Sequence, residues 1–153
     1  MHIRLMPKAQ RHQMTCIRAD GSFTRADLGP RLPFHDLCHY VVERAFGLRG
    51  GFFGHVASGY SLESLTRKEV ILALGPESWQ AEILARALGE LATGACTLEQ
   101  FPARVSEELE RLHLAAIPGT TPERAEALLT EFCELQRRYE ALPEGGSLEL
   151  MFS

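Results

Sequence analysis

The sequence has 153 residues, of which 45% are apolar and 24% charged, and its formal net charge is −4. Apolar content at this level is typical of a chain that folds around a core, and the acidic balance lacks the basic excess of nucleic-acid-binding proteins. No run of about 18 apolar residues is present, so the sequence predicts no membrane-spanning helix. We therefore expect neither a nucleic-acid partner nor a membrane partner.

The length favours a single α+β domain over residues 1–153, since domains commonly run to about 100–150 residues. The four cysteines, Cys16, Cys38, Cys96 and Cys133, show no paired spacing. This scatter indicates free thiols or small core residues in a reducing compartment. The first residues also lack the apolar stretch of a signal peptide, and we expect a cytoplasmic protein.

Strand patterns occur at both ends of the chain. Near the N-terminus they cover Ile3–Met6, Met14–Arg18 and Ser22–Leu28, and Asp20-Gly21 predicts a two-residue type I′ hairpin turn. At the C-terminus, Leu148, Leu150 and Phe152 alternate with period two. A strand without a partner leaves its backbone N–H and C=O groups unpaired. We therefore expect the C-terminal strand to join an N-terminal antiparallel sheet of two to three strands.

Four to five helices are predicted to pack on one face of this sheet. The first has apolar residues at helical spacing from Phe34 to Ala45 and ends at Gly47, where glycine adopts the left-handed conformation at little cost. A glycine-rich connection over 47–60 contains one helical turn near 54–57, and 61–74 is helical at least in part. Further helices are predicted over 76–91, 98–112 and 121–141, the second of them capped by Thr97 and Gln100 in capping-box spacing. Their apolar content is compatible with a homo-oligomer formed through the C-terminal helices.

One segment points to chemistry, His35-Asp36-Leu37-Cys38-His39. On a helix that turns about 100° per residue, His35 and His39 lie one turn apart on one edge of the apolar stripe. This spacing brings two imidazoles within reach of one metal ion. Asp36 lies about 60° around the helix from His39, on the more polar side. The pattern predicts a divalent metal ion such as zinc as the cofactor.

The segment resembles the HExxH motif of zinc metallopeptidases, in which two helical histidines hold zinc and the glutamate is a general base. Aspartate replaces the glutamate here. The resemblance implies that His35 and His39 are metal ligands and that Asp36 is the catalytic base of a hydrolase.

A zinc site also needs a third protein ligand. We predict His55, because the glycine-rich connection could fold it back towards the first helix, and Glu63 is the second choice. Glu43, one turn beyond His39, is predicted to orient His39 through a hydrogen bond.

A longer stretch, from Pro33 to Gly59, resembles a group of small uncharacterised bacterial proteins. The resemblance implies no particular activity. It is carried by His35-Asp36-Leu37, His39-Tyr40, Val42-Glu43, Gly47-Leu48 and Gly51-Phe52-Phe53-Gly54.

The same residues also allow a non-enzymatic interpretation. In an interaction or scaffold domain, His35 and His39 would tie the first helix to the loop around His55 through hydrogen bonds. Histidines beside an apolar stripe commonly bond to a carbonyl or carboxylate, and Asp36 in the first helical turn complements the helix dipole. The two interpretations differ in whether the protein contains metal.

Overall fold

The structure is a computed structural model that describes residues 1–9, 11–29 and 33–153. Within these residues, four strands form one antiparallel sheet and six α-helices follow or connect them. The strands are β1 (His2–Pro7), β2 (His12–Ile17), β3 (Phe23–Leu28) and β4 (Leu148–Met151). The helices are α1 (Phe34–Phe46), α2 (Phe52–Ala57), α3 (Lys68–Ala73), α4 (Pro76–Thr93), α5 (Phe101–Arg111) and α6 (Pro122–Glu140), with a 3₁₀ turn at Ser64–Thr66.

The sheet confirms the predicted α+β fold and the pairing of the chain ends. Its strand order is β3-β2-β1-β4, so β1 lies between β2 and the C-terminal strand. Leu5 is paired with Met14 on one side and with Leu148 on the other, and all three are buried. Because side chains alternate across a strand, this register places the apolar positions of three strands on the face towards the helices.

The β2–β3 turn differs from the predicted type I′ turn. A type I′ turn needs positive φ at both central residues, but Gly21 has φ 84° whereas Asp20 is not among the residues with positive φ. The Arg18 N–H donates to Ser22 O at 2.8 Å, which closes a longer loop. The Asp20 carboxylate accepts a hydrogen bond from the Ser22 N–H at 2.9 Å. This side-chain bond stabilises the turn with a single residue in the left-handed region.

Helix α1 is the central helix of the fold. It ends at Gly47 (φ 66°), as the sequence predicted. Every residue from Leu37 to Glu43 is buried, because the helix packs against α2, α4 and α6 and touches the sheet through the Tyr40 hydroxyl, which donates to Met151 O. More of α1 is therefore buried than its apolar stripe alone predicts. The polar side chains of His39 and Glu43 also lie inside the protein.

Helices α4 and α6 begin within one residue of their predicted starts, whereas α5 begins at Phe101, three residues after its predicted start at residue 98. Thr97 and Gln100 form a reciprocal capping box in front of α5, with N–H to side-chain oxygen distances of 3.0 and 3.3 Å. Thr121 caps α6 by accepting from the Arg124 N–H. The six helices exceed the expected four to five, and the glycine-rich connection contains a six-residue helix, α2, where one turn was predicted. None of the helices in the described part of the chain is both long and apolar enough to cross a membrane.

Candidate metal centre

Three side chains converge where α1 packs against α4. His35 and His39 come from successive turns of α1, and Glu82 comes from α4. The distance between the two Nε2 atoms is 3.2 Å, and Glu82 Oε2 lies 3.2 Å from His35 Nε2 and 3.1 Å from His39 Nε2. Within residues 1–9, 11–29 and 33–153, these three form the one group of three or more potential metal ligands whose donor atoms converge.

The three side chains differ in their exposure to solvent. The side chain of His39 is buried, whereas that of His35 is about half exposed and that of Glu82 is about one third exposed. Glu82 uses Oε2 towards the histidines, and its Oε1 lies 3.7 Å from Arg86 Nε one turn further along α4. The group therefore lies at the border between the core and the surface.

The orientation of His39 is set by Glu43. The Glu43 side chain is fully buried, and its Oε1 lies 3.0 Å from His39 Nδ1. Its Oε2 accepts hydrogen bonds from the backbone N–H groups of Phe53 (2.9 Å) and Gly54 (3.2 Å), in the first turn of α2. A carboxylate that accepts on Oε1 requires the proton of His39 on Nδ1, which leaves Nε2 directed at Glu82 and His35. The predicted contact between Glu43 and His39 is confirmed.

Gly51 makes room for the Glu43 carboxylate, and Gly54 makes room for the Arg49 carbonyl group. A Cβ atom on Gly51 would lie 2.4 Å from Glu43 Cδ and 2.6 Å from Oε2, and a Cβ on Gly54 would lie 2.0 Å from the Arg49 carbonyl oxygen. Both distances are well below van der Waals contact. The Gly51-Phe52-Phe53-Gly54 segment is therefore the local sequence that lets α2 place its N–H groups against a buried acid of α1.

The proton equilibria of the group follow from this burial and pairing. Burial lowers the pKa of His39, but the hydrogen bonds to Glu43 and Glu82 outweigh it and raise the pKa to about 9. The hydrogen bonds from His35 and His39 lower the pKa of Glu82 well below its usual value. In the metal-free protein at neutral pH, Glu82 is therefore ionised and His39 is protonated, and His39 Nε2–H donates to Glu82 Oε2.

The other predicted site residues lie outside this convergent group. His55 is in α2, where its ring packs against Tyr60 with 5.2 Å between ring centroids, and its Nε2 is buried without a hydrogen-bond partner in the described part of the chain. Glu63 is exposed and directly precedes the 3₁₀ turn. Asp36 is partly buried, and this burial raises the pKa of its carboxyl above the usual value, although the charges of His39 and His35 act in the opposite direction. It is therefore within electrostatic range of both histidines.

Sequence reasoning did not find Glu82. It lies 43 residues after His39, and nothing in the local pattern separates it from the other acidic residues of the helices. The one signal present is its position beside Ile83, at the edge of the apolar stripe of α4. The contact depends on how α4 packs against α1, which no spacing along the chain specifies.

Two cavities flank the group. One has a volume of about 350 Å³ and is lined by His39 and Glu82 together with mostly apolar side chains. The other has a volume of about 570 Å³, runs between α1, α4 and α6, and includes His35 and Arg86 in its wall. Either volume is in the range of small-molecule sites.

Comparison of the chain with protein-family models, with curated proteins and with solved structures found no match.

Proposed function

We propose that this protein binds one divalent transition-metal ion, with zinc favoured, through His35 Nε2, His39 Nε2 and Glu82 Oε2. The observation that carries the proposal is the convergence of three donor atoms within 3.1–3.2 Å of one another. Two imidazoles and one carboxylate form a recognised ligand set of zinc enzymes.

The spacing of the donor atoms supports the proposal. In zinc sites the metal–nitrogen distance is about 2.0–2.1 Å. An ion at that distance from three atoms whose separations are 3.1–3.2 Å would lie about 0.9 Å out of their plane, with angles of about 100° between its bonds. Three ligands on one side of the ion leave at least one coordination position for an external molecule.

Proton counting also supports an ion. Each Nε2 carries at most one proton, and an ionised carboxylate oxygen carries none. If both Nε2 atoms are protonated, each can donate a hydrogen bond to Glu82. The two N–H groups of His35 and His39 then face each other at 3.2 Å, and neither can accept from the other. If one or both Nε2 atoms lack a proton, the lone pair of an unprotonated Nε2 faces a lone pair of the Glu82 carboxylate. One metal ion would satisfy all three contacts at once.

The surroundings of His39 support the same assignment. Metal-binding histidines commonly donate the other ring N–H to a carboxylate or carbonyl, which fixes the tautomer and the ring orientation. His39 has this arrangement with Glu43. Glu43 is itself held by two backbone N–H groups of α2, so the donor atom of His39 is preorganised before a metal arrives.

An ion with a free coordination position lowers the pKa of a bound water molecule, which makes metal-assisted hydrolysis the reaction class we attach to this proposal. Asp36 stays the predicted general base. Burial raises the pKa of its carboxyl, and the opposing effect of His39 and His35 on this pKa places the carboxyl within electrostatic range of both proposed ligands. Asp36 does not line the cavity next to His39 and Glu82.

Metal analysis tests the proposal. Protein purified without an immobilised-metal column and titrated with Zn²⁺ is expected to bind about one ion per chain. Fe²⁺ should be tested anaerobically in parallel, since two histidines and a carboxylate also suit this ion. The Glu82→Gln variant keeps the shape of the side chain but loses its charge, and its zinc affinity is expected to fall by about 100-fold or more.

The matched control is Glu126→Gln, which makes the same change at an exposed residue of α6 and should leave the affinity unchanged. Failure of the wild type to bind any divalent ion, or an unchanged zinc affinity of Glu82→Gln, would contradict the proposal.

A scaffold role is the second candidate, because the hydrogen bonds of His39 to Glu43 and Glu82 already connect α1, α2 and α4 without an ion. In that case the protein is metal-free, and His39→Ala lowers the free energy of unfolding without affecting any metal equilibrium.

A further inference from the structure

The cavity of about 350 Å³ beside the proposed metal centre is lined by three polar and five apolar side chains. The polar ones are His39 and Glu82, two of the three proposed ligands, and Ser78, which lies one helical turn before Glu82 on α4. The apolar ones are Phe52, Leu65, Ile71, Leu74 and Trp79. This combination of an apolar chamber with a few convergent polar groups is typical of sites for small organic molecules.

We infer that this cavity binds a small organic carboxylate, with its carboxylate on the metal ion and its apolar group against Trp79 and its neighbours. The inference rests on the proposed function, because it needs the ion at His35, His39 and Glu82. The larger cavity is less suited to this role, since it includes one ligand of the metal, His35, whereas the smaller cavity includes two.

The charge of the ligand follows from the donor set. A divalent ion bound by two neutral imidazoles and the Glu82 carboxylate retains a net positive charge, which favours an anionic oxygen donor in the remaining position. Without the ion, the Glu82 carboxylate is already paired with His39 and His35, so no free positive charge remains at this position for an anion. Binding of a carboxylate in this cavity should therefore require the metal.

The apolar group of the ligand follows from the walls. Five of the eight side chains that line the cavity are aromatic or aliphatic, so an apolar substituent gains free energy by leaving water there. A volume of about 350 Å³ accepts a phenyl ring or a short branched chain but not a peptide helix, whose diameter with side chains is about 10–12 Å. The cavity therefore selects for a compact apolar acid.

Trp79 provides the measurement, because it is the single tryptophan of the chain and lines this cavity. Zinc-loaded protein is titrated with phenylacetate, and the Trp79 fluorescence is followed. Acetate supplies the carboxylate without the ring, and phenylacetamide supplies the ring without the charge. We expect phenylacetate to bind about tenfold or more tightly than either, and to leave the fluorescence of the zinc-free protein unchanged.

Two cavity-filling variants locate the site. In Ser78→Leu, the leucine side chain fills part of the smaller cavity. In Ala92→Leu, a leucine on the same helix fills part of the larger cavity. We expect Ser78→Leu to lose about tenfold or more in phenylacetate affinity while keeping its zinc stoichiometry, and Ala92→Leu to bind phenylacetate as the wild type does. Retained zinc binding shows that each variant is folded at the site.

The zinc stoichiometry of each sample separates the two proposals. Zinc-loaded protein that does not respond to phenylacetate, binds acetate equally well, or loses the response in Ala92→Leu and not in Ser78→Leu overturns this inference and leaves the proposed function standing. Protein that binds no zinc overturns both.

Discussion

At the scale of single residues, the most constrained side chain of the site is that of Glu43. It is 1% exposed, and a buried carboxylate is costly unless its oxygens are hydrogen-bonded. Both oxygens have partners, His39 on one side and two backbone N–H groups on the other. The same bonds that satisfy the acid also place the His39 proton on Nδ1. The hydrogen bonds that allow Glu43 to be buried are therefore the same ones that orient His39 as a metal ligand.

The Glu43→Gln variant tests this orientation. The amide oxygen would be held by the Phe53 and Gly54 N–H groups, so the NH₂ group would face His39 Nδ1 and donate to it. Neutral His39, the form that binds a metal, would then carry its proton on Nε2, which is the nitrogen that the metal needs. We expect zinc affinity to fall by about 10–100-fold, measured by competition with a chromophoric chelator. Above pH 9, where His39 of the wild type is neutral, nitrogen-15 shifts of the metal-free proteins should show its proton on Nδ1 in the wild type and on Nε2 in the variant.

Glu63→Gln serves as the control, because it makes the same change at the exposed residue that ranked second as a ligand from sequence. Its zinc affinity should equal that of the wild type. A wild-type affinity for Glu43→Gln would show that Glu43 does not orient the ligand.

At the scale of helices, the site depends on the short helix α2. Its first-turn N–H groups have no partners within the helix, and no side chain of its own caps them. Glu43 of α1 supplies the missing acceptor from another element. Because a negative charge is favourable at a helix N-terminus, this contact stabilises α2 and anchors it to α1.

Gly51→Ala is expected to disrupt this junction. The added Cβ would lie 2.4 Å from Glu43 Cδ, so the carboxylate must move away from both α2 and His39. We expect the free energy of unfolding of the metal-free protein to fall by about 1–3 kcal/mol, measured by chemical denaturation, and zinc affinity to fall with it.

Gly89→Ala is the matched comparison, since the added Cβ in the interior of α4 would meet no atom within 4 Å beyond its neighbours in the helix backbone. It should raise the free energy of unfolding by about 0.5–1 kcal/mol, because alanine is the better helix former. Equal stability and equal zinc affinity of Gly51→Ala and wild type would rule out the close approach.

At the scale of the whole molecule, the helices and the inner face of the sheet share one apolar core. This core includes Cys16 of β2 and Cys38 of α1, whereas Cys133 of α6 is exposed. Burial raises the pKa of both Cys16 and Cys38 to about 12. At pH 8, about one in 10⁴ of such thiols is ionised, and the thiolate is the reactive form.

The rate at which these cysteines are alkylated therefore tests whether Cys16 and Cys38 are buried in the core. With iodoacetamide at pH 8 and peptide mass spectrometry, Cys133 should be modified in the native protein, whereas Cys16 and Cys38 should react after unfolding in denaturant. Labelling of Cys16 as fast as Cys133 under native conditions would mean that the sheet and helices are not packed as described.

The local features of this fold were open to prediction because each depends on residues close together in the chain. The period-two alternation around Leu148 and Leu150, the helical spacing that ends at Gly47, and the Thr97–Gln100 capping box all formed as the sequence indicated. The Asp20-Gly21 turn did not, because a side-chain bond to Ser22 favours the longer loop.

By itself, the sequence determined the α+β class, the pairing of the two chain ends, and the presence of His35 and His39 one helical turn apart. The tertiary structure alone decided that Glu82 meets them and that α2 holds Glu43 against His39. The physical reason is that spacing of three or four residues fixes which side chains share a helix face. The choice of a partner 43 residues away depends on how two helices pack, which the burial of many apolar side chains determines together.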